Sequence, residues 1–243
     1  MHCQTVFMRY ELKYIISQRQ KEKVLKTMEP YMVPDEYGRT TIRNIYYDTD
    51  NYRLIRRSLE RPVYKEKLRV RSYAKAGPES TVFVELKKKY KSIVYKRRIP
   101  LPEKEATEWL EGVKPIRERT QIADEIDYFM EYYQTLHPVL FLSYEREAYY
   151  SRGREEFRVT FDDNILCRQE GLSLQADVWG TPILPEDSVL MELKCSGGIP
   201  LWMSRLLSEE RIYKTSYSKY GTAYCSIIYP NIYPKLKRGA IHA

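Results

Sequence analysis

The side chains of this chain that could do chemistry are charged residues that alternate with apolar ones along five short stretches. Successive side chains of a strand point to opposite faces, so each charged set shares one face and the interleaved apolar residues share the other. One such stretch is most simply a sheet with its charged side in water. Five such stretches, in which cations outnumber acids, predict basic strand faces that suit a polyanion. The sets are Arg9/Glu11/Lys13, Lys67/Arg69/Arg71, Glu85/Lys87/Lys89, Arg158/Thr160/Asp162 and Glu192/Lys194.

The composition also favours an anionic partner. The 243 residues carry a formal net charge of +8, which suits nucleic acid, nucleotide, polyphosphate or a membrane surface without choosing among them. With only His2, His137 and His242, a histidine-based metal centre or triad is disfavoured. His137 precedes Pro138 at the predicted end of a helix, where a capping or solvent role is expected. Chemistry would then rest on carboxylates, lysines and arginines, which favour hard metals such as Mg²⁺ or Mn²⁺.

Cysteine use and hydropathy predict a cytoplasmic protein. The four cysteines are scattered without a CxxC pair, so neither a structural zinc site nor a disulfide framework is indicated. The N-terminal segment MHCQTVFMRYELKY carries charge where a secretory signal needs an apolar stretch. No apolar run approaches the ~18 residues of a spanning helix. We therefore expect a soluble chain in a reducing compartment.

The periodicity predicts a single domain over residues 1–243, of antiparallel β character with helices around it. No linker, low-complexity tract or internal repeat divides the chain. Ser17 is expected to cap the first helix and Pro30 to close it. Strands are predicted near 5–16, 41–47, 64–73, 81–89, 92–101, 139–150, 156–162 and 188–195. Helices are predicted over 18–29, from 48 or 49 to 58, and over 102–111, 120–134, 200–211 and 217–229.

A sheet that is charged on one face and apolar on the other can close into a barrel with its polar face inward. Closure would combine the basic faces into one positive field, and low-dielectric walls would strengthen each contact to a phosphate chain. The chain has no GxxxxGK[ST] loop, so side chains would have to hold the phosphates. Arginine offers a planar fork and lysine a point charge. A carboxylate opposite them can hold a divalent ion that bridges phosphate oxygens.

Nine segments of the chain, taken in order, carry a family resemblance. They are RYELKY, IRNIYYDT, KLRVRSY, VFVELKKKY, VYKRRI, SYEREAYY, RVTFDDNI, VLMELK and SYSKY, and they run from about Arg9 to Tyr220. On these motifs the chain resembles the VTC domain, the polyphosphate-polymerase module of the triphosphate tunnel metalloenzymes, a superfamily that includes the CYTH proteins. The resemblance implies an α+β fold in which an eight-stranded antiparallel barrel forms a tunnel, with surrounding helices and a C-terminal helix. Nucleoside triphosphate would bind in the tunnel, and the polyphosphate product would thread through it.

The same resemblance implies roles for individual residues. Glu192 matches the family's metal-binding glutamate, and Glu11 in the superfamily's ExExK strand is expected to help hold the metal or to orient a lysine. The cofactor would be Mn²⁺ or Mg²⁺. The catalytic contacts to phosphate would be Lys13, Arg69, Arg71, Lys87 and Arg146. Further phosphate or nucleotide contacts would be Arg43, Lys96, Tyr144, Arg158, Ser218 and Lys219.

Several of these assignments leave alternatives open. Period-two alternation cannot decide whether Lys96 with Arg98, or Arg97 alone, faces the tunnel, and the resemblance favours Lys96. Glu85 is either a metal ligand or a salt-bridge partner for neighbouring cations. Ser218 either donates to a phosphate or caps the final helix. A solvated patch is expected at Lys88, Lys89 and Lys91.

Two positions depart from the family pattern. The ExExK strand reads RYELK here, so Arg9 stands where the first carboxylate is expected. Hydrolysis by tunnel enzymes depends on several acids that hold metal and position water, so this exchange weakens a phosphohydrolase interpretation. A lysine is also expected two or three residues before Lys219, where Ser216 and Tyr217 stand. Lys214 is the candidate substitute.

Three functions follow. The first is a metal-dependent phosphotransferase that moves the γ-phosphoryl of ATP onto polyphosphate, a reaction that needs positioning and charge neutralisation more than a covalent nucleophile. The second is a triphosphatase in the same barrel, and the third a non-catalytic binder of polyphosphate, inositol phosphates or RNA. Specific nucleic-acid readout is disfavoured, because no RNP-like motif or basic recognition helix is present. The SPX domain and membrane helices of eukaryotic relatives are not found among these residues, and we expect a membrane partner, where one is used, to be encoded separately.

Overall fold

The computed structural model describes residues 10–91, 93–153 and 156–232, which form a ten-stranded antiparallel sheet with helices packed on it. The predicted α+β fold is thus confirmed. The strands are β1 (Tyr10–Ser17), β2 (Met32–Pro34), β3 (Thr40–Asp48), β4 (Tyr64–Ser72), β5 (Thr81–Tyr90), β6 (Ile93–Pro102), β7 (His137–Ser151), β8 (Phe157–Arg168), β9 (Thr181–Pro182) and β10 (Ser188–Cys195). The helices are α1 (Gln18–Met28), α2 (Arg53–Leu59), α3 (Glu103–Leu110), α4 (Gln121–Tyr133), α5 (Leu201–Glu209), α6 (Lys219–Ala223), a π-helical turn (Tyr224–Ile228) and α7 (Tyr229–Ile232).

The eight long strands follow the order β1-β10-β8-β7-β3-β4-β5-β6, while β2 pairs with β7 and β9 with β8. The expected closed barrel is corrected in one respect: β1 and β6 end this path, and within the described ranges no ladder joins them. The sheet still curls round, because Lys87 on β5 lies 3.4 Å from Glu11 on β1, near the other end of the path. Thr215 adds one antiparallel bridge to β1, and its N–H donates to the carbonyl of Lys13 at 2.7 Å.

The apolar residues between the charged ones pack under helices on the outer face of the sheet. Leu68 of β4 and Leu86 of β5 are fully buried in one cluster with Ile126 and Phe129 of α4. Because side chains alternate along a strand, this burial turns the intervening charged residues to the inner face. A second outer cluster joins β1, β8 and β10 to α1 and α5 through Tyr14, Val24, Val159, Met191 and Met203.

A third apolar cluster fills one end of the interior. Tyr220 of α6 and Ile228 of the π-helical turn are buried there with Leu190 of β10. The ring of Tyr220 stacks on Tyr46 with 4.8 Å between centroids, and its hydroxyl donates to Asp48 at 2.8 Å. The C-terminal segment predicted as one helix over 217–229 is therefore a set of short helical turns that seal the sheet from inside.

The helices begin where side chains can accept their first N–H groups. Ser17 caps α1 as predicted, since its Oγ accepts from the N–H of Gln20 at 3.2 Å. Asp48, expected to open the next helix, stays in β3, and α2 starts later, at Arg53. The Asp48 carboxylate accepts instead from the N–H of Leu54 at 2.8 Å. It thereby ties α2 to the sheet and, through Tyr220, to α6.

Some predicted boundaries are wrong for identifiable reasons. The strand predicted over 156–162 continues as β8 to Arg168. Asn164 adopts a left-handed φ of 45° beside a register shift between Ser143 and Glu145 of β7, a β-bulge that absorbs the extra residue. His137 begins β7 instead of ending a helix. Strands β2 and β9 were not predicted, and residues 5–9 of the first predicted strand lie outside the described residues.

Candidate functional site

Strand periodicity and register bring the charged sets together inside the curled sheet. On β4, Arg69 follows the fully buried Leu68, which faces the outer helices. The antiparallel register places Arg69 opposite Glu85 on β5. In the other part of the sheet Lys13 of β1 lies opposite Glu192 of β10. The inner face is therefore continuous from strand to strand and lined by charge.

One part of this interior is centred on Glu85, whose side chain is 1% exposed. Arg69 Nε donates to its Oε2 at 2.8 Å, and Lys96 Nζ lies 2.6 Å from Oε1. The Nε atoms of Arg71 and Arg98 are each 3.9 Å from the carboxylate. Burial alone would raise the pKa of Glu85, but Arg69, Arg71 and Lys96 hold it well below its ordinary range, so the group is ionised. We refer to these five residues as the Glu85 cluster.

The second part is built on two buried carboxylates. Arg146 grips Asp162 with two hydrogen bonds, Nε to Oδ1 at 2.6 Å and Nη2 to Oδ2 at 2.7 Å. Lys219 Nζ donates to the same Oδ2 at 2.5 Å and lies 3.5 Å from Glu192 Oε1. Lys13 Nζ is 3.4 Å from that Glu192 oxygen. The Asp162–Glu192 cluster consists of Asp162, Glu192, Arg146, Lys219, Lys13 and Lys194, the last 3.9 Å from Glu192.

Both carboxylates of this cluster are ionised. Burial would raise the pKa of Glu192, but Lys219, Lys13 and Lys194 bring it well below the ordinary value. For Asp162, Arg146 and Lys219 overcome the same penalty and lower the pKa. The cations respond in opposite ways: Asp162 and Glu192 raise the pKa of Lys219 despite its burial, whereas burial lowers the pKa of Lys194 to about 8.

Tyr144 lies between the two clusters. Its Oη accepts from Nη2 of Arg71 at 3.2 Å. Its ring centroid is 4.4 Å from Lys219 Nζ and 5.1 Å from the guanidinium carbon of Arg146. Such cation–π contacts hold a cation without neutralising it. Tyr144 thus positions residues of both clusters while leaving their charge available.

The structure brings most of the predicted phosphate contacts into this interior. Lys87 pairs with Glu11 at 3.4 Å. Arg158 lies farther along β8, opposite Lys194, and its guanidinium is 3.7 Å from Asp35. Ser218 caps α6, because its Oγ accepts from Gly221 N–H at 3.2 Å. Within the two clusters lie Lys13, Arg69, Arg71, Lys96, Arg146 and Lys219, with Tyr144 between them.

Arg43 is not brought to either cluster. Its neighbour Asn44 faces inward, where its Oδ1 accepts from Arg71 Nε at 3.0 Å. The next residue on the Arg43 side of the strand, Ile45, packs in the outer cluster with α4. Alternation therefore turns Arg43 to the outer face, where burial lowers the pKa of its guanidinium and Glu145 partly opposes that shift. This corrects the expectation that Arg43 contacts phosphate.

The ambiguous register of β6 is settled by its partners. Lys96 and Arg98 face Glu85 inside the sheet, whereas Arg97 turns outward and lies 3.2 Å from Glu125 of α4. Glu85 forms the salt bridges that one of its two open interpretations expects. Lys214, proposed as a substitute lysine, is exposed on the segment before α6.

The predicted metal ligands Glu192 and Glu11 are both suited to a hard cation. Burial would raise the pKa of Glu11, but Lys87 and Lys194 lower it, so this carboxylate is ionised as well. Within residues 10–91, 93–153 and 156–232, no three His, Cys, Asp or Glu side chains converge as a ready metal cage. The donors therefore fit Mg²⁺ or Mn²⁺ only where phosphate oxygens of a bound ligand complete the coordination.

Sequence reasoning assigned no role to Asp162, Lys67 or Lys194, and named Arg98 only as an alternative that shares a face with Lys96. The first three belong to the alternating sets, so periodicity alone places them on the inner face. Their partners could not be read, because Asp162 meets Lys219 from 57 residues away. Pairing across such separations depends on register and on where α6 docks.

Two solved structures share the fold of this chain. A Bacillus halodurans protein provisionally assigned as an adenylate cyclase shares 15% identity with a TM-score of 0.55, covering 88% of this chain and 95% of that one. HpAC1 from Hippeastrum, an adenylyl cyclase candidate described as having a dominant triphosphatase activity, shares 14% identity with a TM-score of 0.53 and coverages of 90% and 96%. These likenesses establish the fold, that of the triphosphate tunnel proteins.

The family follows from the sequence. The VTC domain matches residues 8–228, so the chain belongs to the VTC domain family, as the motifs indicated. No curated protein matches it significantly. Within the described residues, no helix combines the length and apolar character needed to cross a bilayer.

Proposed function

We propose that this chain is a metal-dependent phosphotransferase that synthesises inorganic polyphosphate from the γ-phosphate of ATP inside its basic interior. The observation that carries the proposal is the uneven charge of that interior. Four cations surround one carboxylate in the Glu85 cluster, and four surround two in the Asp162–Glu192 cluster. Buried charge without a full complement of partners is costly, so a chain of phosphates would stabilise this interior by supplying the missing anions.

The reaction suits a site without a histidine base. A terminal phosphate oxygen of the acceptor, already ionised at neutral pH, attacks the γ-phosphorus of ATP. The new P–O bond forms as the bond from that phosphorus to the β,γ-bridging oxygen breaks, and ADP leaves with that oxygen. Such transfer is accelerated by alignment and by charges aimed at the phosphoryl oxygens.

The two clusters divide this work between them. Arg69 and Arg71 would hold phosphate oxygens from one side, and Arg146 and Lys219 from the other. Tyr144 contacts Arg71 and Lys219 and would keep the two pairs in position relative to each other. Lys13, Lys87, Lys96, Arg158 and Ser218 would contact neighbouring phosphates of the chain. A divalent ion, Mn²⁺ or Mg²⁺, would be held by Glu192 with Glu11 nearby and would neutralise charge on the β- and γ-phosphates.

Hydrolysis is the second candidate, because the Hippeastrum neighbour is described as having triphosphatase activity. Water would need carboxylates that are free to position it. Asp162 is held by Arg146 and Lys219, and Glu85 by Arg69 and Lys96, which favours transfer over hydrolysis. A non-catalytic polyanion binder is the third. For the phosphotransferase the expected partners are ATP and polyphosphate, and no specific nucleic acid.

The test is turnover of ATP with Mn²⁺ or Mg²⁺ by the purified protein, followed by sizing of the products and assays of ADP and orthophosphate. Glu192→Gln removes the metal-binding charge, and Glu22→Gln on the exposed face of α1 is the matched control. Long phosphate chains with ADP, lost only in Glu192→Gln, are expected. Orthophosphate without chains would favour the triphosphatase, and binding without turnover would leave the polyanion binder.

A further inference from the structure

Lys67 is a cation of the interior that belongs to neither cluster. It lies on the inner face of β4 with Arg69 and Arg71, opposite Lys87 of β5. Its Nζ donates to Ser218 Oγ at 3.0 Å. Among the described residues no carboxylate oxygen comes within 4.0 Å of this nitrogen, in contrast to Lys96 and Lys219.

The strongest charge influences on Lys67 come from positive groups, and the carboxylate on β1, Glu11, is paired with Lys87. Lys13 faces it from β1, Lys65 and Arg69 from β4 itself, and Lys87 from β5. The segment leading into α6 contributes the Ser218 hydroxyl, and α6 contributes the ring of Tyr220, 6.0 Å away. Burial, then repulsion from these cations, lowers the pKa of Lys67 to about 7. The free protein therefore holds this amine close to the point where it loses its proton.

Ser218 is arranged to donate. Its Oγ accepts from Lys67 at 3.0 Å and from Gly221 N–H at 3.2 Å, which uses both of its lone pairs. The hydrogen bonds of the described residues assign no acceptor to its own hydrogen. Gly221 fixes the arrangement, because a Cβ there would stand 3.2 Å from Ser218 Oγ and as close to Leu59. A lysine ammonium and a hydroxyl donor thus lie side by side, and each has hydrogens to give.

We propose that Lys67 and Ser218 form a further phosphate-binding subsite between the Glu85 cluster and the Asp162–Glu192 cluster, and that filling it adds a proton to Lys67. The proposal rests on the proposed function, since its ligand is a phosphate of the same chain. Phosphate oxygens accept from the Lys67 ammonium and the Ser218 hydroxyl, and charge-assisted hydrogen bonds of this kind are the strong ones. The anion supplies the counter-charge that no carboxylate gives, so it favours the protonated amine.

The sign of the pH dependence follows. Below about pH 7 the Lys67 amine is already protonated, and ligand binding takes up few protons. Above about pH 7 binding must add a proton to the amine, so the affinity for phosphate falls as pH rises. At pH 8 the uptake at this lysine would approach about 0.9 proton per ligand, against about 0.1 at pH 6.

The experiment is titration calorimetry with tripolyphosphate at pH 8, without ATP, in two buffers of different ionisation enthalpy. The wild type, Lys67→Met, Lys67→Arg and the control Lys26→Met, on the exposed face of α1, are compared. The ligand's own titration is common to all four, so differences in proton uptake belong to the protein. We expect Lys67→Met to bind roughly tenfold more weakly and to take up most of one proton less. Because arginine stays protonated, Lys67→Arg should bind with an affinity nearer that of the wild type and show the same missing proton.

The outcomes separate this proposal from the proposed function. Wild-type binding with unchanged affinity and unchanged proton uptake in Lys67→Met would overturn the subsite and leave the function standing. A wild type that does not bind tripolyphosphate would remove the basis of both. Lys67→Met deletes a buried charge that lacks a carboxylate partner, so it should fold, and its thermal unfolding is measured alongside.

Discussion

The two halves of the interior use the same residue types in different ways. In the Asp162–Glu192 cluster the paired side chains are closed off: Asp162 is 0% exposed, Lys219 9% and Arg146 13%. In the Glu85 cluster the carboxylate is as deeply buried, but Lys96 is 40% exposed and Arg98 35%. The first half is centred on short, buried ion pairs to Asp162, with Lys13 and Lys194 at its edge each 24% exposed. The second is a buried acid whose partners include cations that reach solvent. The two halves therefore differ in how far the cations of their ion pairs reach solvent.

This difference has an energetic basis. Removing one partner of a buried pair strands the other charge, which costs more than the pair itself contributes. Lys219 is the first residue of α6, so its contact with Asp162 also fastens the C-terminal helix to β8. Lys96 carries no such structural task, and its exposure leaves it free to turn toward an incoming anion, whereas Arg98 also stacks on the ring of Phe83, 3.4 Å from its centroid.

The largest effect is expected from Asp162→Asn. The amide removes the carboxylate to which the buried Arg146 and Lys219 both bond and leaves them only the more distant Glu192, so the free energy of unfolding should fall by about 3–5 kcal/mol. The control is Asp163→Asn, the next residue, whose main partner Arg39 is 46% exposed and whose contact with Lys21 is longer, at 3.6 Å. Lys21 keeps Glu147 at 2.9 Å, so the loss should cost only ~1 kcal/mol. Urea unfolding measures both. Equal losses would show that the closed cluster does not stabilise the fold.

Glu85→Gln tests the role of the carboxylate in the more exposed Glu85 cluster. The variant removes the acid that competes with phosphate for Arg69 and Lys96, so metal-free affinity for tripolyphosphate should rise by about three- to tenfold. The unfolding free energy should fall by only ~1–3 kcal/mol. Glu125→Gln, which loses the outer-face partner of Arg97, is the control and should leave affinity unchanged. Weaker binding together with lost metal dependence would make Glu85 a metal ligand after all.

The sequence predicted the lining of the open half better than that of the closed half. On β4 and β5 the residues between the charges are Leu68, Val84 and Leu86, all fully buried, so alternation alone identified the inner face. The closed half depends on Asp162 meeting Lys219 across 57 residues. No local pattern contains that contact, because it requires the β7–β8 register and the docking of α6.

Arg43 shows the limit of transferring motif positions. On β3 both faces are apolar in places: Ile45 and Tyr47 pack outward, and Tyr46 packs inward against Tyr220. Without a clean alternation, periodicity gave no warning that Arg43 points away from the interior. Sequence periodicity also could not predict whether the sheet closes. Closure would need a ladder between β1 and β6, the strands at opposite ends of the strand order.

The cations outside the closed pairs should make the ligand-free protein more stable as pH rises from about 7 to 9. Burial lowers the pKa of Lys67 to about 7 and of Lys194 to about 8, while both keep their ordinary values, about 10.4, in the unfolded chain. The unfolded state therefore binds more protons in this window, and stability rises with pH. Each lysine adds less than about 1.4 kcal/mol per pH unit. Urea titrations at several pH values measure the slope.

Lys67→Met should make that rise shallower, and saturating tripolyphosphate should do the same in the wild type because it keeps Lys67 protonated. Asp162 and Glu192 should not contribute to this change of stability between pH 7 and 9. Their pKa values are lowered in the folded protein, so the stability they contribute is lost only as pH falls below the ordinary carboxyl range. A flat profile in the wild type would mean that Lys67 and Lys194 stay charged in the free interior.

The smallest effect concerns two adjacent residues on opposite faces of β6. Lys96→Gln removes an exposed cation of the open cluster and should weaken tripolyphosphate binding by about two- to fivefold, as expected for a solvent-accessible charge. Arg97→Gln loses only its contact with Glu125 on α4 and should leave affinity unchanged, with less than ~1 kcal/mol of lost stability. Calorimetry on both variants at one ionic strength makes the comparison, because the change in net charge is identical. A larger effect at Arg97 would show that Arg97, and not Lys96, faces the interior from β6. Glu85 would then lack the exposed partners that distinguish the open cluster from the closed one.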